Sequence, residues 1–201
     1  KISKIFKWTK EFYKNFNMDY ALNLSKEFNL DINKKIKELS TGYSSILKII
    51  LALSSGAEIL CFDEPVLGLD VNYRELFYKE LLKFYEKTEK TIIIATHLIE
   101  EIANIIEEVI ILKDGQVIKS GEVEKILSSV YSIIGKSHVV KEYLRECVKK
   151  DDVVSIEEMA SFEKVIILGE KDLSKIKALG LNLEKVELQK LFISLTNKGE
   201  R

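Results

Sequence analysis

The sequence predicts an α/β fold, in which a layered domain with parallel strands is followed by a smaller α+β unit. Amphipathic stretches alternate with short apolar runs up to about residue 107, an order typical of parallel strands joined by helices. The run TIIIAT (91–96) is continuous, apolar and β-branched, so it predicts a strand buried on both faces. After residue 130 the order becomes strand, helix, two strands, helix, strand and helix, which fits a small split βαβ unit.

Composition indicates one or two globular domains. The 201 residues are 46% hydrophobic, with 31 Lys and Arg against 32 Asp and Glu, so a packed core is expected and the basic excess of a nucleic-acid-binding protein is missing. Two cysteines do not support a disulfide framework or a zinc site. Neither a signal peptide nor an apolar run of membrane-spanning length is found, so we expect an intracellular domain. Because the chain begins at Lys1 rather than Met, we expect a piece of a longer protein.

Helical spacing dominates the first part of the chain. Residues 2–16 carry one apolar stripe, and a second helix is expected from Asp19, as its N-cap, to about Asn29. A third helix follows LSTGY (39–43) and ends at Gly56.

The middle of the chain predicts alternating strands and helices. We expect a strand at 58–62, a helix at 71–85, the buried strand at 91–96 and a helix at 98–107. The Asp114-Gly115 pair between two apolar runs predicts a β-hairpin.

The last part of the chain predicts the split βαβ unit in detail. Its expected elements are a strand at 138–140, a helix at 141–149, strands at 152–157 and 163–168, a helix at 172–179, a strand at 182–186 and a helix at 187–196.

Two carboxylates end the apolar strand 58–62. Asp63 and Glu64 would lie at the carboxyl edge of a parallel sheet, where α/β folds bind ligands. Asp63 could hold Mg²⁺, and Glu64 could orient or deprotonate a water, a pairing suited to hydrolysis of a phosphate ester or anhydride. The alternative is a strand that simply turns into a loop, and these residues alone favour that alternative.

A possible anion site precedes the third helix. Ser40, Thr41 and Gly42 would bring together a hydroxyl, backbone N–H groups and the positive end of the helix dipole, and the small Gly42 would let an anion approach. An ordinary Ser cap satisfies the same donors without a ligand, and taken alone it is the better reading.

Two further residues are candidates. His97 directly follows the strand 91–96, so it would lie at the same edge and could donate to a phosphate oxygen or to a water. Asp70 could cap the helix 71–85 or reach a partner. Taken alone, a loop histidine and a helix cap are the simpler interpretations.

The order and spacing of these segments resemble the ATP-binding cassette (ABC) ATPases, over residue 1 to about 126. LSTGY is similar to the Leu-Ser-Gly-Gly-Gln signature motif, ILCFDEP (59–65) to the Walker B strand, GLD (68–70) to the D-loop and His97 to the switch histidine. Within the family the likeness is greatest to bacterial export-type subunits, whose usual ending is similar to LQKLFISLT (188–196).

The resemblance implies a partial P-loop NTPase cassette. Its parts would be a helical subdomain (1–38), the signature, Walker B and switch-histidine part of the ATPase core (39–128), and a small βαββαβ C-terminal domain (129–201). The parallel-sheet core would lack the Walker A strand, because no G-x-x-x-x-G-K-[ST] loop occurs in the 201 residues. Alone, the chain is expected to bind nucleotide poorly, to hydrolyse almost none and to leave an apolar strand without its neighbour.

The resemblance also implies ATP and Mg²⁺ as ligands. In the family, two cassettes sandwich two ATP molecules head to tail. The residues would then act as follows: Ser40, Thr41 and Gly42 grip the γ-phosphate of the other subunit's ATP, Asp63 supports Mg²⁺, Glu64 polarises the attacking water, His97 contacts the γ-phosphate and Asp70 crosses the interface. Thr41 and Tyr43 depart from the signature motif, where the family has Gly and Gln.

The function implied is an ATPase subunit of a membrane exporter. Its partners would be a transmembrane permease subunit and a second ATP-binding subunit, without nucleic acid, at the cytoplasmic side of the membrane. Two alternatives stay open: a soluble cassette ATPase outside transport, and a non-enzymatic interaction or regulatory fragment. The sequence preceding Lys1 would separate the exporter from the fragment, and co-purification with a polytopic membrane protein would separate it from the soluble ATPase.

Overall fold

The chain divides into two compact units. The computed structural model describes residues 1–197, and the units meet in sequence between Leu98 and Ile99. This division differs from the predicted boundaries at residues 38 and 128, which stay a prediction about how the whole protein is organised.

The first unit contains four helices and two strands among its described residues. They are α1 (Ile2–Phe12), α2 (Met18–Glu27), a 3₁₀ turn (Ile36–Glu38), α3 (Thr41–Ser54), β1 (Ile59–Asp63), α4 (Val71–Thr88) and β2 (Thr91–Ala95).

The bounds of the first two helices differ from prediction. Helix α1 ends at Phe12, because Tyr13 is already extended. The cap of α2 is Asn17 rather than Asp19, since the Asn17 side chain accepts a hydrogen bond of 3.0 Å from the Tyr20 N–H. An Asn, Asp or Ser can cap equally well, so composition alone did not decide between positions 17 and 19.

Strands β1 and β2 pair in parallel, as predicted, from Ile59↔Thr91 to Asp63↔Ala95. The prediction that β2 is buried on both faces is wrong. Ile93 is 53% exposed and Ile59 is 60% exposed, and Cys61 on the same face is exposed as well. Only the opposite face is packed: the Phe62 ring lies 5.7 Å from the Phe77 ring of α4. The face with Ile59, Cys61 and Ile93 is named the open face.

The second unit is built on a hairpin and a four-stranded sheet. Its elements are α5 (Ile99–Ile102), β3 (Glu108–Lys113), β4 (Gln116–Glu122), α6 (Val123–Ser128), β5 (Val130–Lys136), α7 (Ser137–Cys147), a 3₁₀ turn (Lys150–Asp152), β6 (Val153–Met159), β7 (Phe162–Leu168), α8 (Leu173–Ala178), β8 (Asn182–Glu184) and α9 (Leu188–Thr196). The predicted hairpin is confirmed, with Asp114 and Gly115 at φ 50° and 75°.

The four strands are antiparallel in the order β6-β7-β5-β8. This is the strand order of a split βαβ unit. The predicted strand at 138–140 is wrong, since these residues belong to α7 and the strand precedes them. Val139 and Val140 favour a strand locally, but Val140 is fully buried with Tyr143 on one face of the helix.

The four-stranded sheet is covered on both faces. One cluster joins Tyr131, Ile133 and Val165 to buried residues of α7 and α8. The other joins Val130 and Ile166 to buried residues of α6 and α9. The second unit therefore closes its own core.

Candidate functional site

Four polar residues lie where β1 and β2 end, and they are named the edge cluster: Asp63, Glu64, Thr96 and His97. Parallel pairing places the carboxyl ends of both strands side by side. The Glu64 N–H donates to the Ala95 oxygen over 2.9 Å, which carries the pairing one residue past the strand. Glu64 then takes a left-handed conformation, with φ 44°, as the chain leaves the sheet.

The Glu64 carboxylate is held by three hydrogen bonds from the end of β2. Its Oε1 lies 2.7 Å from His97 Nδ1 and accepts the His97 backbone N–H over 3.1 Å. Its Oε2 accepts the Thr96 hydroxyl over 3.1 Å. The carboxylate and the imidazole, which the sequence placed at one edge, are therefore in direct contact.

The surroundings lower the pKa of Glu64 below its ordinary value. Burial is the largest single influence and acts in the opposite direction, raising this pKa. Hydrogen bonds from His97 and Thr96, together with the charge on His97, outweigh it. Glu64 is thus a carboxylate at neutral pH.

An ionised carboxylate offers about four acceptor positions. Three donors from Thr96 and His97 reach Glu64, and its side chain is 31% exposed. One acceptor position and an exposed edge are compatible with holding a water molecule. The lowered pKa suits orienting and polarising that water better than taking its proton outright.

Asp63 is exposed beside Glu64 at the end of β1. Within residues 1–197 no group of three or more His, Cys, Asp or Glu side chains is arranged to hold a metal ion. Mg²⁺ commonly binds through one or two carboxylates, its waters and substrate phosphates. A single exposed carboxylate is therefore a donor set that fits Mg²⁺ brought with a phosphate, and it does not fit a metal held by protein ligands alone.

The remaining candidates form a second group, named the tip cluster: Ser40, Thr41, Gly42 and Asp70. Ser40 caps α3, and its Oγ accepts the Tyr43 N–H over 3.3 Å. Asp70 caps α4, as the sequence predicted, and its Oδ1 accepts the Tyr73 N–H over 3.0 Å. Both caps are exposed. The first turn of α3 also presents backbone N–H groups that have no partner within the helix.

Packing gives Gly42 a structural reason to be small. A Cβ added at Gly42 would come within 2.7 Å of the Gly68 backbone oxygen. Gly42 therefore lets the start of α3 pack on the loop that follows Glu64. This contact requires a glycine at position 42, and the approach of an anion there stays a prediction.

Edge cluster and tip cluster are two separate groups. Within the described residues no hydrogen bond or ion pair links Ser40 or Asp70 to Glu64 or His97. The loop of residues 65–69 joins them, since it leaves Glu64, contacts Gly42 and ends at the Asp70 cap.

Sequence reasoning missed Thr96, which holds Glu64 Oε2 and also accepts the Leu98 N–H over 3.1 Å. Its place immediately before His97, at the end of the apolar run, was the available signal. The sequence marks Tyr43 only as a departure from the signature motif, and it does not mark Tyr73 as a site residue.

A cleft of about 570 Å³ lies away from both clusters, among α2, α3 and α4. Tyr20, Ser54 and Glu80 line it, and none of the edge or tip residues does. Burial and the nearby Glu80 charge raise the pKa of Tyr20 to about 12, so the phenol stays neutral. Cavity size therefore does not identify the candidate site here.

Comparison with protein families and curated proteins gives matches along most of the chain. The family model described as "AAA domain, putative AbiEii toxin, Type IV TA system" matches residues 13–103. An uncharacterized ABC transporter ATP-binding protein of Methanocaldococcus jannaschii is 32% identical over 161 residues, which are 75% of this chain and 60% of that protein. The glycine betaine/carnitine/choline transport ATP-binding protein OpuCA of Bacillus subtilis is 25% identical over 186 residues, which are 92% of this chain and 47% of that protein.

Among solved structures, one described as a cobalt transport ATP-binding protein matches with a TM-score of 0.54 at 18% identity. The match covers 89% of this chain and 66% of that one. At this identity the likeness concerns the fold. The chain spans about half to two thirds of the length of these relatives.

Proposed function

Because this chain is homologous to the ATP-binding cassettes of ABC transporters and shares their α/β fold, we propose that it is the C-terminal portion of an ABC transporter ATP-binding subunit. The whole protein binds and hydrolyses ATP with Mg²⁺, and the energy drives transport across a membrane. It works at the cytoplasmic side, bound to a transmembrane permease subunit. Among the helices of residues 1–197, none combines the length and apolar character that a bilayer span needs.

The contact between Glu64 and His97 carries this proposal. A carboxylate kept ionised, 2.7 Å from an imidazole at the carboxyl edge of parallel strands, suits hydrolysis of a phosphoanhydride. Glu64 polarises the attacking water, and His97 contacts the γ-phosphate. Asp63 supports Mg²⁺ delivered with the nucleotide.

The tip cluster completes the site of a second ATP-binding subunit, identical or different. Ser40, Thr41 and Gly42 offer a hydroxyl and helix N–H groups to the γ-phosphate that the partner holds. Asp70 lies beside them and crosses the interface between the two subunits. Two features support a separate role for the tip cluster. Ser40 and Asp70 are exposed, and within residues 1–197 neither forms a hydrogen bond or ion pair with Glu64 or His97.

Export is the direction we propose. The final helix α9 carries LQKLFISLT, which is similar to the ending of export-type subunits. This chain is also similar to a relative named for transport of glycine betaine, carnitine and choline. That name does not state export, so the direction of transport needs its own test. Inside-out membrane vesicles with and without the full-length protein would give it: ATP-dependent loss of substrate from the cell corresponds to accumulation in such vesicles.

A soluble cassette ATPase outside transport is the second candidate. The match of residues 13–103 to a family described by an AAA domain favours it. Affinity purification of the full-length protein from solubilised membranes distinguishes the two. Stoichiometric recovery of a polytopic membrane protein supports the transporter, and recovery from the soluble fraction alone supports the second candidate.

Turnover is tested with the full-length protein by phosphate release from Mg²⁺-ATP. We expect turnover in the full-length protein and almost none in the 201-residue chain, which contains no G-x-x-x-x-G-K-[ST] loop. Equal turnover in the full-length protein and the 201-residue chain would overturn the proposal that hydrolysis needs residues outside this chain.

A further inference from the structure

Two tyrosines occupy the same position relative to the two helix caps of the tip cluster. Tyr43 is the third residue after Ser40, and Tyr73 is the third residue after Asp70. Each backbone N–H donates to its own cap, over 3.3 Å at Ser40 and 3.0 Å at Asp70. The residue that each cap holds therefore carries a phenol.

The two phenols meet between the helices. Their hydroxyl oxygens lie 3.2 Å apart, and their rings lie 6.1 Å apart in an edge-to-face arrangement. The Phe28 ring of the first unit supports Tyr73 from a distance of 6.2 Å. The hydrogen bond to Tyr73 is the main cause that raises the pKa of Tyr43, so the Tyr43 phenol stays neutral at physiological pH.

Contacts with the loop of residues 65–69 also hold the start of α3 in place. Gly42 packs on the Gly68 oxygen with no room for a Cβ, and the Ser45 hydroxyl donates to the Leu67 oxygen over 3.4 Å. The start of α3 is thus held at two places: Gly42 and Ser45 contact the loop of residues 65–69, and Tyr43 contacts Tyr73 of α4.

We propose that Tyr43 and Tyr73 are positioning residues, whose hydroxyl–hydroxyl hydrogen bond holds the Ser40 and Asp70 caps as one surface. This inference rests on the proposed function, in which both caps face the ATP of a second subunit. Neither tyrosine touches the phosphate; each acts through the cap that holds its N–H. A tyrosine at position 43, where the family motif has Gln, supplies the hydroxyl that this arrangement needs.

The test uses Tyr43→Phe, Tyr73→Phe and the double variant in the full-length protein. Phe keeps the ring contacts and removes only the hydroxyl bond. A matched control exists in the second unit, where the hydroxyls of Tyr131 and Tyr143 also lie 3.2 Å apart, both tyrosines being buried. Tyr143→Phe therefore removes the same kind of bond outside the site.

Hydrogen exchange without nucleotide shows whether the bond exists. We expect Tyr73→Phe to speed amide exchange at residues 43–45 several-fold, although the change lies on the other helix, and Tyr43→Phe to speed exchange at 73–75 likewise. Unchanged exchange across the pair overturns the inference, whether or not the protein hydrolyses ATP. If the wild-type full-length protein does not hydrolyse ATP, the proposed function is overturned instead. The exchange measurement still decides whether Tyr43 and Tyr73 are linked by their hydrogen bond.

ATP-dependent turnover shows whether the bond positions the caps. Loss of one neutral hydrogen bond predicts an apparent KM for ATP raised about five-fold, with kcat changed less than two-fold. Because both single variants break one bond, the double variant should equal either single one rather than their product. A KM unchanged in all three, as in Tyr143→Phe, overturns the positioning role.

Discussion

The sheets of the two units differ in how much of their surface the described residues cover. The four-stranded sheet of the second unit is packed on both faces, with Ile133 and Val165 fully buried. The β1–β2 sheet is packed on one face, and Ile59 and Ile93 on its open face are more than half exposed. Both strands of that sheet end in the polar groups of the edge cluster. The candidate chemistry thus lies on the sheet that is not closed by its own unit.

This difference indicates two kinds of folding unit. A two-stranded sheet is marginal by itself and leaves unpaired backbone at both edges. The second unit needs no further layer for its core. The first unit presents an apolar face and a polar edge together, which is typical of a surface that another layer completes.

The largest difference between the two sheets should appear when one carboxylate is neutralised in each. Glu64→Gln in the full-length protein should lower turnover at least about a hundredfold, because a neutral amide polarises water poorly. Glu163, on β7 of the closed sheet, is buried and paired with Lys141 over 3.1 Å. Glu163→Gln should leave turnover unchanged. Phosphate release measures both, and equal losses would break the comparison.

Core truncation should separate the two sheets by stability. Ile133→Ala empties a fully buried site, and about 2–5 kcal/mol of unfolding free energy should be lost. Ile93→Ala, at a site 53% exposed, should change that free energy by about 0.5 kcal/mol or less. Urea unfolding followed by circular dichroism gives both values. A large loss at Ile93 would mean that the open face is covered in solution.

Charge on the open face should reduce association of the isolated 201-residue chain. An exposed apolar face with unpaired strand edges favours pairing with another copy. Ile59→Lys with Ile93→Lys should shift sedimentation toward the monomer. Ile110→Lys, at a residue 66% exposed on β3, is the control and should have little effect. A chain that is monomeric without any change would contradict this reading.

The smallest effect concerns pH. The pKa of Glu64 is lowered in the folded chain from an ordinary value of 4.5, so its interactions with Thr96 and His97 stabilise the fold above that value. The contribution is lost as pH falls through the lowered pKa. Thermal unfolding at pH 7 and pH 4 should show a smaller pH-dependent loss in Glu64→Gln than in wild type. Because the side chain is partly exposed, the difference should be modest, and a larger loss in the variant would contradict the assignment.

Short sequence patterns predicted the turn, the strand end and the helix caps, because neighbouring residues determine these features. The Asp114-Gly115 turn requires two residues with positive φ, and this pair supplies them. The end of β1, predicted at residue 62 and found at Asp63, and the caps of α3 and α4 also followed from short stretches. The contact of Glu64 with His97 followed from one rule, that parallel strands end at a common edge.

Apart from the bounds of α1 and α2, the failures concern contacts between residues far apart in sequence. An apolar run predicts burial of β2 but does not say which layer covers Ile93. The role of Gly42 depends on the Gly68 oxygen, 26 positions away. The Tyr43–Tyr73 pair spans 30 residues, yet its equal spacing from two caps was visible in the sequence and is a signal that could have found it.

ATP-dependent dimerisation tests the central claim most directly. The claim is that the edge cluster of one cassette and the tip cluster of another enclose one terminal phosphate. Sedimentation of full-length Glu64→Gln with Mg²⁺-ATP should give a dimer, since bound ATP persists without hydrolysis, and adding Ser40→Arg should return it to the monomer. A Glu64→Gln protein that binds ATP as a monomer, or a dimer that Ser40→Arg leaves intact, would contradict the account.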